Sequence, residues 1–397
     1  MQAPKSLDIT VFLLKLIHIE SKKTAVFELE TDRFSSHTFE LSMRLTKHEY
    51  HHIKDTLYRS QEGKKNVVIY QERKGRHCCM KYGKYGVRIC LEHNQGESGF
   101  DTYYIRMIIN PRVLIEPGCS YLGILPPEES SIGELEKAFK KLFDKTVFDN
   151  DINHYYLSRL DLCVNIRCNN NRLFRELVRV LRKLPTPPKY ERKIYKHRDK
   201  KTNRYNKHYL RFSCGTHELV IYDKTYQLRD GDLIVDYQGL PEGVLRFEVH
   251  CEREYIRKVE KELNSESSTK VLWSMVQESA GRIIDHFSRC FPDTKFVQME
   301  RLEKKIKQSG FKKENKSAML ELASRLQRTQ SVDKALQKME KQGYSTAGLL
   351  DKFAKLGISP IPLRKNFCAE SLPGPVELLK RILTGNIAVE YVKVKYK

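Results

Sequence analysis

The chain contains no apolar run near the roughly 18 residues that cross a bilayer, which excludes a membrane-spanning helix. Its early cluster VFLLKLI is too short, follows an acidic residue and lacks a small-residue cleavage site, so a secretory leader is not expected either. Cys-x-x-Cys spacing is absent among the 10 cysteines. Cys78 and Cys79 are neighbours, and Cys163 and Cys168 stand five apart, so neither pair has the spacing of a zinc module. Without a secretory signal these thiols read as reduced, in a cytoplasmic protein of a bacterial cell. A Walker-type glycine loop is missing, and with it the expectation of ATP-driven work. Long-period repeats and low-complexity tracts are missing too, which excludes solenoids and arrays.

Acidic residues are the scarce charge. Asp and Glu number 50 against 72 Lys and Arg, a net charge of +22. Such an excess favours polyanionic partners, though a solubilising surface has the same composition. It is concentrated between Lys189 and Lys207 (KYERKIYKHRDKKTNRYNK). There Lys189, Arg192, Lys193, Lys196, Arg198, Lys200, Lys201, Arg204 and Lys207 face only Glu191 and Asp199, with Tyr190, Tyr195 and Tyr205 interleaved. Cations mixed with aromatics suit a phosphate backbone whose bases stack, and a solvated loop is the plain alternative.

At 397 residues the chain exceeds one usual core. Three units are expected: a β-rich domain over 1–127, an α+β domain over 128–262 and a helical domain over 263–397. Alternating runs such as TAVFELE, NVVIYQE and TYYIRMIIN mark the first, and ILPPEESS ends it. Ser131 with Glu134 reads as a capping box that opens a helix. The strand HYYLSRLDLCVNI, the helix NNRLFRELVRVLRKLP, the hairpin YLRFSCGTHELVIYDK and the strand VLRFEVH follow. Together they predict an antiparallel ferredoxin-like or RRM-like sheet with helices on one face. Beyond Asn264 the pattern is helical, and two helices around Gly343 read as a helical hairpin or a DNA-reading helix-turn-helix.

Strand alternation puts Asp161, Tyr209, Glu218, Tyr222, Lys224, Glu248 and His250 on the open face, opposite the aliphatic side chains. Arg159-Leu-Asp161 and Arg246-Phe-Glu248 form matching Arg-apolar-carboxylate triplets. These are either cross-strand ion pairs or, beside phosphate-binding bases, oxygen ligands for Mg²⁺ or Mn²⁺. A tyrosine nearby can act as a nucleophile when a cation or base lowers the cost of ionising its phenol, and Arg211 and Lys224 are on hand.

RLDLCVNI, Tyr209 followed by IYDK, and RFEV resemble the motifs of trans-acting rolling-circle replication initiators, over residues about 155 to 252. The resemblance implies a metal-dependent nicking-closing enzyme that joins a tyrosine to the 5′-phosphate of one origin strand and leaves a 3′-hydroxyl primer. It implies Tyr209 as nucleophile, Lys224, Arg211 and Tyr222 around it, and Asp161, Glu248 and His250 at the ion. Arg159 and Arg246 join the basic loop as contacts to DNA. Arg211 stands where that family often has glycine, and Tyr205 and Tyr195 are alternative nucleophiles. No two histidines are separated by a single intervening residue, which fits the trans-acting group. The implied partners are duplex origin DNA with an extruded single strand, a host helicase and polymerase, and a second copy of the chain, without a membrane. A conjugative relaxase and a non-catalytic nucleic-acid-binding module are the competing readings.

Overall fold

The computed structural model describes residues 24–27, 29–62, 69–96, 100–168, 170–193, 208–230, 243–385 and 389–392. Strands form where β-branched and aromatic residues alternate with polar ones. The first seven are β1 (Thr24–Phe27), β2 (Leu29–Thr31), β3 (Ser35–Leu45), β4 (Ile69–Arg73), β5 (Arg76–Cys79), β6 (Val87–Gln95) and β7 (Asp101–Ile109). Helix α1 (Lys47–Arg59) follows β3 and opens on a capping box between Thr46 and Glu49. The short α2 (Pro111–Ile115) starts at Asn110, whose side chain accepts from the Val113 N–H. Helix α3 spans Ser130–Phe143. Ser131 is therefore inside the helix rather than its cap, because its N–H and that of Ile132 bond back to the Glu128 and Glu129 carbonyls.

The central region comprises β8 (Tyr156–Cys168), α4 (Asn171–Leu181), β9 (Glu191–Lys193), β10 (Tyr209–Cys214), β11 (His217–Asp223), α5 (Lys224–Asp230) and β12 (Val244–Glu252). Helices α6 (Arg253–Leu263), α7 (Ser268–Gln277) and α8 (Ser279–Cys290) come next. The rest is β13 (Lys295–Val297), α9 (Met299–Gln308), α10 (Lys313–Arg328), α11 (Val332–Glu340), α12 (Leu349–Lys355), β14 (Ser371–Pro373), α13 (Pro375–Leu383) and β15 (Val389–Val392). The expected α+β class is met by this large antiparallel sheet with its helices.

One antiparallel sheet of 11 strands runs β4-β5-β6-β7-β3-β8-β12-β11-β10-β9, with β2 also paired to β8. It crosses the boundary expected at 127/128. Strand β3 pairs with β7 on one side and with β8 on the other, so the early strands and the central ones share one layer. The expected separation into a 1–127 unit fails at this shared edge. Phe39, Ile105, Leu160, Leu162, Phe212, Phe247 and Val249 point to the core face. Phe139, Leu177, Met275, Ile283 and Phe287 of α3, α4, α7 and α8 belong to the same buried cluster. Each such fully buried side chain contributes about 1.5–3 kcal/mol. Helices α6, α7 and α8 pack on the sheet, so the helical region too begins as part of this body.

Candidate functional site

Cross-strand register fixes which side chains meet. Tyr209 opposes Tyr222, Tyr222 opposes Arg246, and Arg246 opposes Asn165. Four residues along, Glu218 opposes His250, which opposes Asp161. Side chains two apart on a strand share a face, so Arg211, Glu248 and Cys163 join them. The aliphatic row Leu210, Ile221, Phe247 and Val164 occupies the other side. Asp161, Tyr209, Glu218, Tyr222, Glu248 and His250 share the polar face by register, while Lys224 opens α5 and brings its Nζ to 5.9 Å from the Tyr222 ring centre.

That face is not open at its centre. Asp161, Glu248, His250 and Lys224 are at most 7% exposed, and Arg246 is 0% exposed. A chain segment covers them: the Leu122 carbonyl accepts from Arg246 Nη2 at 2.9 Å and from Asn165 Nδ2 at 3.0 Å. Arg246 Nε also donates to Asn165 Oδ1 at 2.5 Å. His37 enters from β3, with its Nε2 3.1 Å from the Tyr121 carbonyl and 3.5 Å from Lys224 Nζ. Arg246 was expected to contact DNA. It is instead an internal tie between two strands and the covering segment, since no part of its guanidinium reaches the surface.

The carboxylates are each held by cations. Arg159 grips Asp161 through Nε and Nη2 at 2.7 and 2.9 Å, and its Nη1 lies 3.4 Å from Glu40. Arg159 thus serves the sheet rather than a phosphate. Glu248 accepts from the Tyr222 hydroxyl at 2.7 Å and stands 2.9 Å from His250 Nε2. Glu218 stands 3.2 Å from His250 Nδ1 and pairs with Arg211. The pairing continues across the sheet. Arg106 bridges Glu40 and Glu92, and Arg76 bridges Glu92 and Glu72. A row of alternating charges therefore runs from β4 to β10. The sequence shows only its two Arg-apolar-carboxylate triplets.

Burial would lower the His250 pKa, but the Asp161 charge and the contacts to Glu218 and Glu248 outweigh it and raise it to about 9. Burial opposes ionisation of Glu218, yet His250 and Arg211 bring it down to about 2. Burial, reinforced by Arg246, holds the Lys224 amine well below its ordinary value. Its Nζ donates to Gln227 Oε1 at 2.8 Å. Burial and the Glu248 charge push the Tyr222 phenol well above its ordinary value. Tyr222 is accordingly a poor nucleophile and a firm donor to Glu248. Tyr209 is half-buried as a residue, but its hydroxyl oxygen is enclosed, and its ring stacks on Tyr222.

Asp161, Glu248 and His250 are donors of the kinds that suit a divalent ion. Their present partners are Arg159, Tyr222 and one another, and among the described residues no group of three or more His, Cys, Asp or Glu stands ready to hold a metal. An ion would enter only by displacing Arg159 or the His250 proton.

Of the basic segment, Arg192 is turned inward. It donates to the Arg182 carbonyl at 2.5 Å and the Leu184 carbonyl at 3.2 Å, and it lies 3.5 Å from Asp333. The expectation that it contacts DNA fails because its donors are taken by the chain. Lys193 pairs with Glu191 on β9. Lys189 and Lys193 line a surface cleft of about 610 Å³ together with Ser213, Glu218 and Arg253. Lys196, Arg198, Lys200, Lys201, Arg204 and Lys207, and with them Tyr195 and Tyr205, lie outside the described residues.

Sequence reasoning missed His37, Glu40 and the Leu122 carbonyl. All three come from the first third of the chain, where no local pattern signals them. Asn165 was visible as the next polar-face residue of RLDLCVNI.

Among the described residues no helix is long and apolar enough to cross a membrane. No family of known proteins matches the chain by sequence, and no curated protein does. The solved structure of a rolling circle replication initiator protein from Geobacillus stearothermophilus aligns with 66% of this chain and 86% of its own, at 10% identity and a TM-score of 0.30.

Proposed function

We propose that this chain cuts and rejoins one strand of DNA through Tyr209, as an initiator of rolling-circle replication. The observation that carries the reading is the juxtaposition of Tyr209, a half-buried residue with an enclosed hydroxyl oxygen, with a buried acid–cation network on one sheet face, within residues whose motifs resemble that group. Tyr209 stacks on Tyr222, and Tyr222 is hydrogen-bonded to Glu248 in the same network as His250 and Asp161.

In this reading the Tyr209 oxygen attacks phosphorus, the bond to the 3′-oxygen breaks, and the departing oxygen gains a proton. The product is a phosphotyrosyl link and a free 3′-hydroxyl. Lys224, whose amine burial holds well below its ordinary value, is the amine on this face assigned to accept the phenol proton. Arg211, partly exposed two residues from Tyr209, offsets charge on the developing phosphorane. The stacked Tyr222 and its bond to Glu248 fix the ring against which Tyr209 rests. A Mg²⁺ or Mn²⁺ ion belongs to the proposal as well: Asp161, Glu248 and His250 would hold it, and it would supply Lewis-acid polarisation of the phosphate. The basic segment from Lys196 to Lys207, with Lys189 and Lys193, would hold the single strand.

One observation favours a second reading. Every acid of the network already has a cation partner, as in a structural core, and this suits a non-catalytic nucleic-acid-binding module. One assay separates the two. The protein is incubated with supercoiled plasmids carrying candidate origins and Mg²⁺ or Mn²⁺, and protein–DNA adducts are sought after denaturation. An adduct lost in Tyr209→Phe supports cutting. Salt-sensitive binding with no adduct supports the module. An adduct that survives Tyr209→Phe and is lost in Tyr205→Phe or Tyr195→Phe moves the nucleophile.

A further inference from the structure

Far from this site, at the other end of the sheet, Cys78 on β5 and Cys90 on β6 are direct cross-strand partners. Both are fully buried, and their sulfurs lie 3.2 Å apart. Opposed strand residues hold their Cβ atoms about 4.5–5.5 Å apart, and a disulfide takes about 3.5–4.5 Å, so a bond needs only a small local shift. Two guanidinium groups flank the pair: Arg88 Nη2 is 3.3 Å from the Cys78 sulfur and Arg76 Nη2 is 3.6 Å from that of Cys90. Cations so placed favour a thiolate, the nucleophile of thiol–disulfide exchange. Glu72 pairs with both arginines and also lies 3.7 Å from the Cys78 sulfur, which moderates the effect. Burial and the hydrogen bond with Cys78 push the Cys90 thiol up to about 11, and Arg88 stands closer to the Cys78 sulfur than Arg76 does to that of Cys90.

Access comes from the sheet edge. Strand β4, which pairs with β5, ends the sheet, and its residues Tyr70 to Arg73 are exposed. Edge strands open locally at little cost compared with global unfolding. Cys79 cannot replace Cys78 in this pair, because the next residue on a strand points to the opposite face, and Cys79 belongs to the core cluster.

We propose that Cys78 and Cys90 form a reversible cross-strand disulfide by exchange with a small-molecule disulfide of the glutathione type. The Cys78 thiolate attacks one sulfur of the small disulfide, giving a mixed disulfide and releasing one thiolate. Cys90 then attacks the Cys78 sulfur and releases the second. The two thiol protons of the protein finish on two molecules of reduced glutathione; the protein is oxidised and the small disulfide reduced. The bond would tie the edge hairpin β4–β5 to β6. The proposal is independent of the nicking reading.

The test uses the full wild-type chain in glutathione buffers from fully reduced to fully oxidised, trapped with N-ethylmaleimide and digested with trypsin. The expected product joins peptide His77–Lys81, alkylated on Cys79 alone, to peptide Ile89–Arg106, and is about 2 Da lighter than that Cys79-alkylated peptide and unalkylated Ile89–Arg106 together. It grows with the oxidised fraction, disappears on adding dithiothreitol, persists in Cys79→Ser and is absent from Cys90→Ser. Oxidation should also slow amide exchange in residues 70–79, by about tenfold or more. No linked peptide even in fully oxidised buffer, a glutathione adduct on Cys78 without the link, or a link through Cys79 would each overturn the proposal. Peptide mapping of the wild-type chain decides the matter even if a variant fails to fold.

Discussion

The rings of Tyr209 and Tyr222 lie face to face, 4.8 Å between centroids and 6° between planes, on neighbouring strands of one hairpin. The two phenols have unlike settings. Tyr222 is buried and its hydroxyl donates to Glu248 at 2.7 Å, while the Tyr209 ring is half-buried although its hydroxyl oxygen is enclosed. Exchanging each for phenylalanine should therefore separate chemistry from stability. Tyr209→Phe keeps the stack and should abolish the covalent adduct with DNA while moving the unfolding free energy by less than about 1 kcal/mol. Tyr222→Phe strips a donor from a buried carboxylate and should cost about 1–3 kcal/mol. Urea denaturation and the adduct assay, run on both variants, check the pair of outcomes.

His250 gives a pH signature. Its pKa in the folded chain is raised to about 9, above the ordinary value of 6.5. Its contribution is therefore complete below about pH 6.5 and is lost as pH rises through about 9. Lys224 works in the opposite sense on the same limb, because its folded value is depressed. The diagnostic quantity is thus the difference between the wild type and His250→Gln. That advantage should be largest near pH 6 and shrink towards pH 9.5, followed by thermal melts across the range. A constant gap would mean that His250 does not carry the proton assigned to it.

Arg246 is wholly enclosed and ties Asn165, the Leu122 carbonyl and Glu248 together. Arg246→Met fills much of the volume yet strands those acceptors and a buried charge, so a loss of about 3–5 kcal/mol is expected. A loss below about 1 kcal/mol in urea denaturation would show that water or a rearranged neighbour replaces the guanidinium.

The basic segment divides into two classes of residue. Arg192 caps two carbonyls and meets Asp333 of α11, so Arg192→Ala should lower stability while leaving the salt dependence of DNA binding as it was. A Lys200→Ala, Lys201→Ala double variant should do the reverse. Each phosphate contact removed should shift the slope of log K against log salt by about 0.7 on single strands. Fluorescence anisotropy at several salt concentrations, with melting curves, distinguishes the two patterns. An unchanged slope in the double variant would remove these lysines from the interface.

Much of the sheet was legible. In RLDLCVNI and VLRFEVH, alternation alone separated Asp161, Asn165, Arg246, Glu248 and His250 from Leu160, Leu162, Phe247 and Val249, because a strand has no other way to sort its side chains. The capping box at Thr46 and Glu49 formed, whereas the one read at Ser131 did not, since preceding carbonyls extended α3 by a further residue. The boundary at residue 127 misled because prolines mark a break in secondary structure, and a sheet can continue across such a break through pairing with a distant strand. Arg246 reads as a contact to DNA in sequence because a positive charge carries no sign of its burial.

The amino-acid order by itself determined which residues lie on each face of the central strands and where the positive charge is concentrated. Those properties depend on a two-residue period and on composition, and both are local. Tertiary structure alone decided that β3 lies against β8, that His37 meets Lys224 and the Leu122 carbonyl meets Arg246 and Asn165, and that Cys78 meets Cys90. These depend on pairing between segments far apart in the chain, and on the water excluded when a loop closes over a charge. That exclusion turns a row of exposed ions into a buried network whose pKa values diverge.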